Sequence, residues 1–171
     1  LVDFDLADAV NILNRTPRVL NAQLRGLDRR WTDAEDRHDA LNPRQTIKHL
    51  IDLEENFWLP ALQSILHDRR PMPPDANIVM EHSPTINKLL DQFGMARRKN
   101  LRELADWRLT HEQLQVRGTI PEWGDTTVRQ LISSWVAHDL SHLTHMTRVL
   151  MEHYAAEISS QRLCNYHTMT S

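Results

Sequence analysis

Apolar residues recur at Leu6, Val10, Leu13, Pro17, Leu20, Leu24 and Leu27, at intervals that alternate four and three. That alternation keeps one face of a helix apolar, so the pattern predicts a first helix that Pro17 kinks rather than ends. Residues 26–39 break the rhythm, being polar and irregular with Trp31 as the one large apolar anchor. A second helix opens at Asn42, a fitting N-cap, with Pro43 at the first helical position. Ile47, Leu50, Ile51, Glu54, Phe57, Trp58, Ala61 and Ile65 share its broad face, and Pro60 predicts another kink. "DRRPMPPDANI" (68–78) reads as an extended, proline-rich connection. Ser83-Pro84 repeats the cap-then-proline signature and opens a third helix, with Ile86, Leu89, Leu90, Phe93, Leu101 and Leu104 on its core face. Thr110 caps a short helical turn, and "RGTIPEWGD" reads as a loop with a tight turn at Trp123-Gly124. Thr126 is then the expected cap of a long last helix over 127–156.

Four long helices, two of them kinked, predict an all-α four-helix bundle with a proline-rich connection between helices two and three, as a single domain over 1–171. Composition agrees: four glycines in 171 residues are too few for a fold built on many tight turns. A net charge of −3 with interspersed signs leaves no basic footprint for nucleic acid. The densest cationic run, Arg97-Arg98-Lys99, reads as a solvated helix face. A lone cysteine, Cys164, excludes an internal disulfide and suits a reducing compartment. No apolar run approaches the ~20 residues of a membrane span, and acidic residues at Asp3 and Asp5 do not suit a signal peptide. The expectation is a soluble, cytoplasmic protein with neither membrane nor nucleic acid as partner.

The chemistry concentrates in "WVAHDLSHLTHMTRVL", residues 135–150. His138 and His142 are four apart on one helical face, close enough to share a cation. A packed pair, hydrogen-bonded to backbone or water, has the same spacing. The glutamate of H-E-x-x-H is missing, so a zincin protease is not indicated. His145 points almost the same way as His138, and helical geometry alone does not rank them. A third ligand has to come from another helix. His38, His67, His82, His111, His153 and His167 sit in loops or near helix ends, whereas His49 lies one turn into the second helix at the margin of its apolar face. Three neutral imidazoles would leave coordination positions open, which is a catalytic rather than a structural arrangement. Asp139 points to the centre of the last helix's apolar stripe and needs a partner there. It either orients a ligand imidazole or bonds an arginine, a Trp N–H or buried backbone.

"TIKHLIDLEENFWLPAL" and "TTVRQLISSWVAHDLSHLTHMTRVL" resemble the DinB family of DinB/YfiT-like metalloenzymes. The resemblance runs over nearly the whole chain, from "LNRTPRVLNAQLRGL" through "LLDQFGMARRKNLREL" to "GDTTVRQL". It implies a bundle whose divalent metal is held by His49, His138 and His142. His145 stands where many relatives have glutamine, as a neighbouring group. The family includes thiol-dependent S-transferases and isomerases that use bacillithiol or mycothiol. The implied function is a metal-dependent enzyme that transfers a small thiol or hydrolyses a small substrate. Zn²⁺ or Ni²⁺ are favoured over Fe²⁺ or Mn²⁺ as cofactor. Glu54, on the apolar side of the ligand helix, is the candidate acid or base, while Glu55 faces away. The expected partners are a small-molecule substrate, such as a low-molecular-weight thiol, and a second copy in a homodimer. The contrasting reading is a catalytically empty bundle acting as a binding or stress-response module.

Overall fold

Asp5 starts the first helix by accepting a hydrogen bond from the Asp8 amide, and α1 (Leu6–Leu24) then runs unbroken through Pro17. The structure is a computed structural model that describes residues 3–33, 41–67, 84–121 and 123–155. The expected proline-rich connection at 68–78, Cys164, His38, His82 and His167 lie outside the described residues. Ala9, Leu13, Thr16, Leu20 and Leu24 form the buried seam of α1, so Thr16 takes the place expected for Pro17. A short turn, α2 (Arg29–Thr32), follows, with Trp31 packed against Tyr154 at 5.4 Å.

The second long helix comes in two pieces, α3 (Pro43–Asn56) and α4 (Trp58–His67). Asn42 and Gln45 form a reciprocal capping box at its start, with Pro43 in the first turn. The interruption expected at Pro60 falls at Phe57, where φ is −124° and ψ is −62°. A proline ring clashes with the carbonyl four residues back, here that of Asn56, so the helix breaks there and restarts with Pro60 in its new first turn. Thr85, not Ser83, caps α5 (Ile86–Asp106), its side chain accepting from the Lys88 amide. Thr110 caps α6 (His111–Gln115) as expected.

The segment expected to be a loop is an antiparallel hairpin of β1 (Arg117–Ile120) and β2 (Gly124–Thr127). The Trp123 amide donates to the Ile120 carbonyl at 3.0 Å, and Gly124 follows at φ +73°. The left-handed conformation at the first residue of β2 is one that glycine adopts without a steric penalty. Four-residue strands carry too little alternation to announce themselves in sequence. Gly118 lets β1 approach α4 closely, since a Cβ there would lie 3.2 Å from the Ile65 Cα. The cap of α7 (Val128–Ala155) is Thr127 rather than Thr126: Thr127 and Gln130 exchange side-chain-to-backbone bonds at 2.9 and 3.1 Å.

The helices form a four-helix bundle in which α1 packs on α5 and α7, α3 on α5, and α4 on α7 and β1. Two apolar layers make the core. One contains Leu13, Trp58, Leu62, Leu104, Ile132 and Trp135; the other contains Leu20, Leu24, Ile47, Leu50, Leu89, Phe93 and Met146. Between them along the helices lie Glu54, Arg97, Asn100 and Asp139, all buried. The expectation of a solvated Arg97-Arg98-Lys99 face therefore fails at its first residue. Arg98 and Lys99 are exposed, but Arg97 is 1% exposed, because it continues the four-residue spacing from Phe93 to Leu101. Among the described residues, no helix is long and apolar enough to cross a membrane.

Candidate metal centre

His138 and His142 lie one turn apart on α7, and α3 passes alongside carrying His49. The His138 Nε2 is 3.2 Å from the His49 Nε2 and 3.1 Å from that of His142. One ligand atom from each ring lies within 4.8 Å of the other two. For metal–nitrogen bonds of about 2.0–2.1 Å, donors subtending 90° to 109° at a cation stand about 2.9–3.3 Å apart. The two contacts at His138 fall in that range. Neutral rings can bridge each contact with one N–H···N hydrogen bond, its direction set by the tautomers, and a cation would take the place of those protons.

All three rings are half-buried, and their pKa values are displaced to suit a ligand role. Loss of solvation lowers that of His49, opposed by the charge of Asp52. Loss of solvation and then His49 lower His138. His142 is pushed down to about 4 by burial and by its histidine neighbours. The rings thus stay neutral at pH 7, the form that binds metal. Because the unfolded chain takes up these protons near pH 6.5 and the folded one only lower, folding stability is full above 6.5. It is lost progressively as pH falls toward about 4. Urea titrations of the metal-free protein should show the midpoint falling over that window, and His142→Gln should flatten the fall. A fall of equal steepness in the variant would refute the assignment.

The structure separates the remaining candidates from this cluster. The His145 Nε2 lies 2.8 Å from the Leu41 carbonyl, and its Nδ1 faces Arg148 at 3.1 Å. Asp139 bonds to Arg97 rather than to an imidazole, with contacts of 2.6 and 3.0 Å. The His138 Nδ1 is buried with no hydrogen-bond partner among the described residues. Its ring is held instead by packing, with the Trp58 ring edge-on at 5.6 Å.

Glu54 belongs to the same buried network as Asp139. Arg97 donates to its Oε1 at 2.8 and 3.0 Å, and the Trp135 indole N–H donates there at 3.0 Å. Asn100 donates to Oε2 at 2.9 Å. Burial pushes the Glu54 carboxyl up against the pull of Arg97, and these donors match the ionised form. Burial works against the Arg97 charge, but Asp139 and Glu54 outweigh it and hold the guanidinium's pKa above its ordinary value. Arg97 also donates to the Leu13 carbonyl at 2.7 Å. Pro17 has no N–H to offer that carbonyl, so the proline in α1 leaves an acceptor that α5 fills. Glu54 and Asp139 therefore brace the helices that carry the histidines. Sequence reasoning missed Arg97, although its four-residue intervals to Phe93 and Leu101 placed it on the core face.

A family model of the DinB superfamily matches residues 12–146. The chain belongs to the DinB superfamily. That span runs from within α1 to within α7 and includes His49, His138 and His142 of this DinB-superfamily protein. A solved structure of YfiT from Bacillus subtilis, described as a probable metal-dependent hydrolase with an unusual four-helix bundle topology, superposes with a TM-score of 0.70. It is 18% identical, and the match covers 89% of this chain and 91% of YfiT. At that identity the likeness is one of fold. Among curated proteins none matches the sequence.

Proposed function

We propose that this DinB-superfamily protein is a divalent-metal-dependent enzyme acting on a small molecule, with hydrolysis as its reaction. The observation that carries the reading is the convergence of three neutral imidazoles at 3.1–3.2 Å spacing around His138. Three nitrogen donors satisfy part of a coordination sphere and leave the rest to substrate. When bound, the cation supplies Lewis acidity, which lowers the pKa of a coordinated water or thiol and polarises a substrate carbonyl. His49 and His142 flank His138 and complete the donor set, Trp58 holds the His138 ring, and the half-buried setting limits competing water. The likeness in fold to YfiT, a probable metal-dependent hydrolase, favours hydrolysis over transfer. Transfer of a low-molecular-weight thiol would use the same centre, with the thiol in place of water. A cytoplasmic setting, suggested by the single cysteine, belongs to the same proposal. The donor set suits Zn²⁺ or Ni²⁺ better than Fe²⁺ or Mn²⁺.

The test is to strip the protein with chelator, reload it with Zn²⁺ or Ni²⁺, and assay two panels. One contains small esters and amides; the other pairs a thiol with an electrophile. Metal-dependent hydrolysis without thiol supports the reading, and turnover only with thiol replaces it with transfer. A protein that binds neither metal refutes both and leaves the non-catalytic binding module.

A further inference from the structure

We propose that the groove between α4 and α5 is a binding site for a small zwitterion of dipeptide size, with its ammonium group on Glu54 and Asn100 and its carboxylate at the rim. None of the three histidines lines this groove.

The break that Pro60 enforces opens the space. α3 packs on α5, but beyond Phe57 the chain turns away, and α4 packs on α7 and β1 instead. The wedge left between α4 and α5 is a cavity of about 780 Å³ that opens to solvent, within the range of small-molecule sites. Leu59, Pro60, Met95 and Ala96 supply its apolar walls.

Its floor is polar and offers acceptors. Because α3 ends at Asn56, the Glu54 carbonyl leaves the helical ladder, and the Asn100 Nδ2 donates to it at 2.6 Å. The same nitrogen donates to the Glu54 Oε2 at 2.9 Å. Both side chains line the groove, although Glu54 is only 2% and Asn100 only 5% exposed. The Asn100 Oδ1 accepts no hydrogen bond among the described residues and is not sealed from solvent. Arg97 reaches Glu54 through Oε1, which leaves Oε2 with Asn100 alone. Glu54 and Asp139 also share one guanidinium, so the buried network is short of one positive charge. A buried charge is costly unless it is paired. An ammonium group on the groove floor supplies both the missing charge and donors for Oδ1 and Oε2.

The rim selects what the ammonium group is attached to. Glu55 adds a carboxylate on the α3 side, beside Glu54 in the chain. On the α5 side stand Lys99 and Arg102, exposed and without a carboxylate partner among the described residues. Glu103 is engaged by Gln63, whose Nε2 donates to it at 3.1 Å. The groove is therefore acidic on one wall and basic on the other. That polarity disfavours a bare amine and suits a molecule carrying both charges, with an apolar body between Leu59 and Met95.

Three dipeptides separate the contributions: Leu-Leu, N-acetyl-Leu-Leu without the ammonium group, and Leu-Leu amide without the carboxylate. Titration calorimetry of the metal-free protein should give Leu-Leu a Kd below about 1 mM. N-acetyl-Leu-Leu should bind at least about tenfold more weakly, the scale of hydrogen bonds to a charged group. Leu-Leu amide should bind about two- to fivefold more weakly, the scale of exposed ion pairs. The double variant Lys99→Gln/Arg102→Gln should remove the preference for Leu-Leu over its amide. Ala96→Trp fills the groove and should weaken Leu-Leu binding at least about tenfold, with the urea midpoint as a check on folding. If Ala96→Trp does not fold, the double variant decides, since both its positions are exposed. Loading with Zn²⁺ should leave the Leu-Leu affinity unchanged. Three results overturn the site: no binding of Leu-Leu, equal binding of N-acetyl-Leu-Leu, or affinity indifferent to the groove variants. Binding that appears only with Zn²⁺ overturns it as well, because the peptide would then sit at the histidines.

Discussion

His138→Ala is expected to weaken Zn²⁺ or Ni²⁺ binding by at least about 100-fold, beyond the roughly 10–100-fold that loss of an outer hydrogen-bonding partner costs. Its Nε2 is within 3.2 Å of both other rings, so its removal opens the middle of the donor set. His49 and His142 would then have to close on each other across two helices. His142→Ala should follow the same course. His145→Ala should change affinity by less than about threefold, well below the loss of even an outer partner, because its Nε2 lies against the Leu41 carbonyl. Calorimetric metal titration of the chelator-stripped variants checks the series. Equal losses for His138→Ala and His145→Ala would mean that a different set of nitrogens binds the ion.

Arg97→Ala should destabilise the fold by about 3–5 kcal/mol, the usual cost of removing one partner from a buried ion pair. Natural domains are stable by only about 5–15 kcal/mol, so such a loss could leave the protein largely unfolded. The guanidinium compensates two carboxylates that are themselves shielded from solvent, those of Glu54 and Asp139. It also satisfies the Leu13 carbonyl. One side chain on α5 thereby ties α1, α3 and α7 at the same level of the bundle. Arg97→Met should cost much less when combined with Glu54→Gln and Asp139→Asn, because no buried charge is then stranded. Urea unfolding of the single and triple variants measures the difference. A cost below about 1 kcal/mol for Arg97→Ala would show that the ion pairs are idle.

Helical elements were legible wherever a signal is confined to a few neighbouring residues. The three-four spacing of Leu6 to Leu24, the Asn42-Pro43 start and the Thr110 cap each depend on one or two turns of chain, and each appears in the structure. Where the reading slipped, a neighbouring residue could do the same local job. Thr85 replaced Ser83 and Thr127 replaced Thr126 as caps, and Pro60 acted at Phe57 through a clash directed backwards along the chain. The short hairpin was missed because four-residue strands are too brief to show a period of two.

The candidate site divides along the same line. That His138 and His142 share a face is a property of one helix, and His49 at a comparable depth on another could be singled out before any coordinates. The meeting of the three Nε2 atoms depends on how far α3 and α7 are displaced along and around each other, and no local pattern encodes that offset. The partner of Asp139 shows the same divide. Its place in the apolar stripe demanded a partner, yet local spacing could not choose between an imidazole and an arginine on another helix. The choice fell to Arg97 because α5 presents it at the level where α1, α3 and α7 leave a carbonyl and two carboxylates facing inward. Chain periodicity decides which residues face the core; the relative height and rotation of packed helices decide which of them meet.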